Sequence, residues 1–177
     1  MNAHVRTMRA REQDWCVVAN QWGSRYSVRR AFAIASRLGD GIAWYTLMAA
    51  IILADGYEGL VAATHMAMTA VAALLLYRCL KRYTRRPRPY ARDIRIRALV
   101  APLDEFSFPS GHTLHAVSFT CLAVAYYPVL APVLVPFAAA VATSRVVLGL
   151  HYPSDVLAAT LIGGVLAGSS LWVLGVP

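Results

Sequence analysis

Apolar positions in this chain come in long blocks, with the charges gathered between them. Residues 59–77 run for 19 positions without a formal charge, residues 156–177 for 22, and residues 106–144 contain no Asp, Glu, Lys or Arg. A helix needs about 20 apolar residues to cross a hydrocarbon core, so the first two blocks each predict one span. The third is too long for one span and too short for three, and it divides at Tyr127-Pro128 to Pro132. Residues 38–56 predict a further span. Its uncharged centre, 41–54, is only 14 residues long, which sets Asp40 and Asp55 at the two interfaces. Upstream, 15–22 and 31–38 mix apolar residues with Arg and Asn and read as amphipathic helix lying along the membrane surface. Helices satisfy their own backbone groups in lipid. The expected architecture is therefore an all-α integral membrane bundle of about five transmembrane helices. It divides into an N-terminal amphipathic interfacial segment over 1–37 and a membrane domain over 38–177.

Composition agrees with that pattern. Hydrophobic residues make up 58% and charged residues 15% of the 177, against about 25% charged in soluble domains. Disorder, fibrous repeats and an ordinary cytosolic enzyme are excluded. No run before residue 38 resembles the apolar core of a secretory signal. The three cysteines, Cys16, Cys79 and Cys121, form neither a disulfide framework nor a CxxC pattern. Net charge is +8, which fits anionic lipid or a phosphorylated substrate. Nucleic acid is disfavoured, because stacking aromatics do not interleave the basic block. Of 17 cations, Lys81 is the single lysine; seven Arg precede residue 38, nine cations lie between 78 and 97, and Arg145 stands alone.

Three polar clusters fall at helix ends that counting places on one membrane face. They are Lys81 to Pro89, Phe108-Pro109-Ser110-Gly111-His112, and Ser144-Arg145 followed by His151-Tyr152-Pro153-Ser154-Asp155. Gly111 permits close backbone approach, and a helix N-terminus is a ready anion site. Lys81, Arg88 and Arg145 add cations suited to phosphoryl oxygens. His151 and Asp155, four apart, put a carboxylate beside an imidazole, and His112 stands by the anion cradle as a candidate acid. Together these residue types describe phosphoryl transfer through a covalent intermediate.

Lys81-x6-Arg88-Pro89, Pro109-Ser110-Gly111-His112 and Ser144-Arg145-x5-His151-x3-Asp155 resemble the three-part signature of the type 2 phosphatidate phosphatase family, whose superfamily includes vanadium haloperoxidases. The resemblance implies that His151 attacks phosphorus to give a phosphohistidine. It implies that Asp155 supports His151 and that His112 protonates the leaving group. Lys81, Arg88, Ser110, Gly111 and Arg145 would hold the phosphoryl oxygens, with no metal and no cofactor. The implied activity is hydrolysis of a terminal phosphate from a membrane lipid (di)phosphate, such as undecaprenyl diphosphate, phosphatidate or phosphatidylglycerol phosphate. A phosphotransferase using the same phosphohistidine and a catalytically silent scaffold are the alternatives.

Plainer readings hold for other residues. Ser110-Gly111 alone is an ordinary helix cap, and Arg82, Arg85, Arg92, Arg95 and Arg97 read as a juxtamembrane block facing anionic head groups. A lone Arg145 in an apolar stretch is harder to explain away. His65 and His115 read as packing or hydrogen-bonding residues, and Asp40 and Asp55 as interfacial. Members of the resembled family commonly have six spans with the active layer outside the cytoplasm. Five spans put the N-terminal Arg cluster on the face of the chemistry, so the positive-inside rule predicts a multi-pass cell (inner) membrane protein with a cytoplasmic active site.

Overall fold

A computed structural model describes residues 3–176; Met1, Asn2 and the expected end of the last span at Pro177 lie outside the described residues. The elements are α1 (Ala3–Gly23), α2 (Tyr26–Arg37), α3 (Ala43–Thr84), α4 (Pro89–Arg92), α5 (Gly111–Tyr126), α6 (Ala131–Val147) and α7 (Pro153–Leu174). A π turn, Leu38–Ile42, joins α2 to α3, and a 3-10 turn, Pro128–Leu130, precedes α6. The fold is all-helical, with no strand among the described residues.

The two expected spans at 38–56 and 59–77 are the two limbs of α3. Gly56 interrupts the helix with φ 57 and ψ −118, a conformation open to glycine and strained for other residues. The chain reverses there: a Cβ on Gly59 would collide with the Ile51 carbonyl oxygen. Eight residues of straight helix would hold those positions about 12 Å apart. At the same end, Tyr127 donates to Asp55 at 2.8 Å, and the His65 ring lies 3.0 Å from the Tyr126 hydroxyl.

Helix α2 continues the line of the first limb of α3. Arg145 bonds Ser36, Gly39 sits against Val141, and Trp44 lies 5.4 Å from Phe137. These pairs descend α6 as they ascend the first span, so α2, the π turn and the first limb form one broken rod antiparallel to α6. Asp40, read as interfacial from the sequence, lines the cavity at one end of this rod.

The stretches Tyr26–Arg92, Pro128–Val147 and Pro153–Leu174 are long and apolar enough to cross a membrane. Helix α5, at 16 residues, is shorter, about 24 Å, and is the central helix, packed on α3, α6 and α7. Its seam with α7 runs along Ala159, Gly163 and Ala167, one small residue per turn on the buried face. Ser118 bonds the Gly163 carbonyl across that seam at 3.2 Å. Trp44 stacks on Phe119 with 5.1 Å between centroids. Outward, Leu53, Leu75, Val129, Val165 and Trp172 are exposed, the surface a bilayer would cover.

Helix α1 is tied down by one buried polar side chain. Asn20 donates to the carbonyls of Arg97 and Val147 and accepts from the Arg97 amide, which locks α1, the loop before α5 and the end of α6 together. Trp15, Trp22, Tyr26 and Ile34 remain exposed on α1 and α2.

Candidate active site

Local sequence logic sets each polar side chain at the same end of the bundle. Pro153 occupies the first turn of α7 and Asp155 its third position, where the carboxylate reaches back to the Tyr152 amide at 2.9 Å. Gly149, at φ 77, turns the chain sharply after α6, and a Cβ there would meet the Arg97 carbonyl at 2.6 Å. The amides of Leu150 and His151 both donate to the Arg145 carbonyl, so the turn folds His151 back onto the end of α6. The Ser110 amide donates to the Asp155 carbonyl at 3.4 Å, bringing the starts of α5 and α7 to one level.

A cavity of about 760 Å³ opens here, lined by Lys81, Arg88, Gly111, His112, Arg145 and His151. Lys81, Arg88, Arg145 and His151 are buried despite their polarity, His151 at 2% exposure. Buried charge of this kind needs partners; the structure supplies several, while Arg145 Nε, His112 Nε2 and His151 Nδ1 make no hydrogen bond. Arg88 Nη1 lies 3.3 Å from His151 Nε2 and donates to the Leu150 carbonyl at 2.8 Å. Asp155 Oδ2 stands 3.7 Å from His151 Nδ1, longer than a hydrogen bond, and accepts from Ser107 at 2.5 Å. Its other oxygen takes Arg86 at 2.7 Å. Burial first, then the charges of Arg145 and Arg88, push the His151 imidazole down to about 3 against the pull of Asp155. The ring is thus a neutral base at physiological pH, with Nε2 toward the cations.

The cavity floor is apolar. Trp44, Tyr45, Met48, Ala70, Leu74 and Phe119 continue it from the polar end down between the limbs of α3 and α5. A charged head and an alkyl tail would each meet matching surface. Among the described residues no cluster of three or more His, Cys, Asp or Glu is placed to hold a metal ion.

The PAP2 superfamily profile matches residues 61–175 of this chain. The chain belongs to the PAP2 superfamily. It is 40% identical over 73 residues to phosphatidylglycerophosphatase B of Escherichia coli, and the same figure holds for the Shigella flexneri protein of that name. That alignment takes in 38% of this chain and 29% of the relative, so the chain matches under a third of the curated relatives' length. Among solved structures, a transmembrane PAP2 type phosphatidylglycerolphosphate phosphatase from Bacillus subtilis superposes with TM-score 0.77 at 22% identity, covering 96% of this chain and 87% of that one. LpxE of Aquifex aeolicus gives TM-score 0.77 at 22% identity, covering 90% and 93%. At that identity the likeness is one of fold: an all-helical transmembrane PAP2 bundle.

Within this PAP2 bundle, the residues singled out in the sequence converge with one difference. Lys81, Arg88, Gly111, His112, Arg145 and His151 share the cavity wall, and Asp155 stands behind His151. Ser110, expected on phosphoryl oxygens, is fully buried with its hydroxyl capping α5: it lies 2.9 Å from the Thr113 hydroxyl and accepts from the Thr113 amide. The cap reading given above for Ser110 describes its side chain here.

Five partners escaped the sequence reading, one of them the Ser36 hydroxyl on Arg145. Asp104, in the loop before α5, bridges Lys81 at 2.6 Å and Arg88 at 2.7 Å. Burial would lift its carboxyl, but those two cations hold it below the usual carboxylate range. Ser107 holds Asp155, as above. Arg86, from the basic block, joins Asp155 to Glu12 of α1 and lies over the Tyr152 ring at 4.0 Å. Asp40 meets His112 Nε2 directly. A carboxylate inside an apolar span was the available signal for Asp40.

Proposed function

We propose that this chain is an integral membrane lipid phosphatase that removes a terminal phosphate through a phosphohistidine at His151. The observation that carries the reading is the shared cavity, in which two histidines and three cations form one end and an apolar trough forms the other. Membership in a superfamily with phosphatidylglycerophosphatase B supports the reaction class.

In the first step His151 Nε2 forms a bond to phosphorus while the bond from phosphorus to the lipid oxygen breaks. The electron pair stays on that oxygen, which takes a proton from His112. Lys81, Arg88 and Arg145 stabilise charge on the equatorial oxygens, and Asp155, facing Nδ1, stabilises the cationic ring. In the second step water loses a proton to His112 and attacks phosphorus, and the P–N bond breaks with its electrons returning to His151. Residues 38–177 are the catalytic unit. The segment 1–37 rests on anionic head groups through its Arg residues and the exposed Trp15, Trp22 and Ile34. The substrate is a lipid mono- or diphosphate, with a polyprenyl diphosphate first among the candidates, in the cell membrane with the site on the cytoplasmic face.

The test is phosphate release by the purified protein from polyprenyl diphosphate, phosphatidate and phosphatidylglycerol phosphate, beside His151→Ala. Wild type should release phosphate from at least one, and the variant should be inactive at an unchanged unfolding midpoint. Equal release by both would overturn the mechanism. Loss of phosphate from the donor only when an acceptor lipid is added, with that phosphate recovered on the acceptor, would make the reaction a transfer.

A further inference from the structure

Asp40 lies on a span that is otherwise apolar from Leu38 to Ala54, yet it lines the cavity opposite the start of α5. Two glycines put it there. Gly39 sits so close to α6 that a Cβ would lie 2.9 Å from both methyl groups of Val141, and its carbonyl accepts from Trp44 Nε1 at 3.3 Å. Gly41 breaks the rod at φ 131. The π turn between them swings the carboxylate out of the helix line, and Asp40 Oδ1 meets His112 Nε2. His112 is 10% exposed at its side chain and Asp40 36%. Among the described residues Asp40 is the one carboxylate in ion-pair contact with His112, since Asp104 is taken up by Lys81 and Arg88.

Most of the charged groups around His112 are basic, although Asp104 and Glu105 also line the cavity. Arg145 approaches from α6, His115 lies one turn along α5 with its Nδ1 on the Gly111 carbonyl, and Lys81, Arg88 and His151 share the cavity. An imidazolium among these cations needs a counter-charge. It has two N–H donors; a carboxylate that accepts one fixes the ring and leaves the other proton for a leaving oxygen.

We propose that Asp40, set into the cavity by the Gly39–Gly41 break, is the positioning residue that holds His112 as the proton donor to the leaving group. This rests on the proposed phosphatase reading and adds to it a carboxylate from the first span, outside the three motifs. Asp40 touches no reacting atom. It acts through His112, and its effect should therefore depend on how much the leaving group needs a proton.

The experiment compares wild type, Asp40→Asn and Asp40→Glu on a lipid phosphate with an alkyl alcohol leaving group and on p-nitrophenyl phosphate, whose leaving group departs without a proton. Asp40→Asn should lose about 100-fold in the single-turnover rate of alcohol release from the lipid, the scale of general acid catalysis, with half-saturation little changed. Single-turnover phenol release from the aryl ester should lose less than about 3-fold, a readout that leaves out the later water step common to both. Asp40→Glu should recover part of the loss, and the basic limb of the Asp40→Asn pH profile should move down by about one pH unit. An equal loss on both substrates would make Asp40 structural, and no loss on either would make it irrelevant; each overturns the proposal. If Asp40→Asn fails to fold, the basic limb of Asp40→Glu against wild type decides: an unmoved limb overturns the proposal and a shifted one supports it. Wild type that releases no phosphate from any substrate fails the phosphatase reading instead, which distinguishes the two.

Discussion

Gly163 and Gly164 are neighbours on α7 that face different surroundings. A Cβ on Gly163 would lie 2.8 Å from the Leu114 carbonyl oxygen, 3.2 Å from Ser118 Oγ and 3.3 Å from Val117 Cβ, whereas a Cβ on Gly164 would meet nothing within 4 Å. Gly163→Ala therefore pushes α7 away from α5 by about 0.6 Å to reach ordinary contact, and stretches the Ser118 bond to the Gly163 carbonyl. Overpacking of this kind costs about 1–3 kcal/mol, and the interhelical bond adds about 0.6 kcal/mol. At about 2–4 °C per kcal/mol for a chain of this size, the midpoint should fall by roughly 3–14 °C. The displacement also parts the starts of the helices that carry His112 and Asp155, so kcat should fall about 10- to 100-fold. Unfolding in detergent can be followed by thiol labelling of buried Cys16 and half-buried Cys121, with exposed Cys79 as baseline. Gly164→Ala is the control, and better helix propensity should leave it as stable as wild type or more so. Matching midpoints and rates for the two variants would show that α5 and α7 do not depend on close backbone approach at Gly163.

Two further outcomes test the electrostatics. Arg86→Met leaves the buried Asp155 carboxylate without its cation and frees Glu12, which should cost about 3 kcal/mol and slow phosphate release; an unchanged unfolding midpoint would mean other groups carry Asp155. His151 is held neutral by burial down to about pH 3, while the unfolded chain takes up its proton near the ordinary 6.5. Between those values the unfolded state binds more protons, so stability rises with pH across the window and is lost on acidification. At pH 5.5 the loss from this ring is about 1.4 kcal/mol relative to pH 8, and wild type should therefore soften on acidification more than His151→Asn does, as judged from paired unfolding curves.

The helical bundle and its polar face were legible because both follow from local pattern. Long uncharged blocks leave spanning helices as their main solution, and Pro153 with Asp155, or Ser110 before Gly111, mark helix starts within a few residues. What escaped depends on contacts between distant segments. The charge pattern starts the first span at residue 38; that α2 continues its rod shows only when Ser36 pairs with Arg145, 109 residues later. Asp40, at the edge of the uncharged stretch, reads as interfacial from the sequence, and its contact with His112 depends on the same long-range packing. Arg86 sits in the link between α3 and α4, and Asp104 and Ser107 in the loop before α5; no periodicity dictates either course, and the partners became visible once the loop was seen to return over Lys81 and Arg88.

Charge placement ties these observations together. An ionised group deep in a bilayer is tolerated where it is paired or faces an aqueous cavity, so a membrane enzyme that handles phosphate has reason to gather its cations at helix ends. Here Lys81 closes α3, Arg145 closes α6, and His112 and Asp155 open α5 and α7, all at one end. Lys81 and Arg88 accordingly share Asp104 as counter-ion, whereas Arg145 bonds the Ser36 hydroxyl. On the proposed phosphatase reading, a phosphate group entering the cavity would compete with that carboxylate for both cations. The loop holding Asp104 is then the segment that has to yield, while the helices beneath it keep the imidazole of His151 in place.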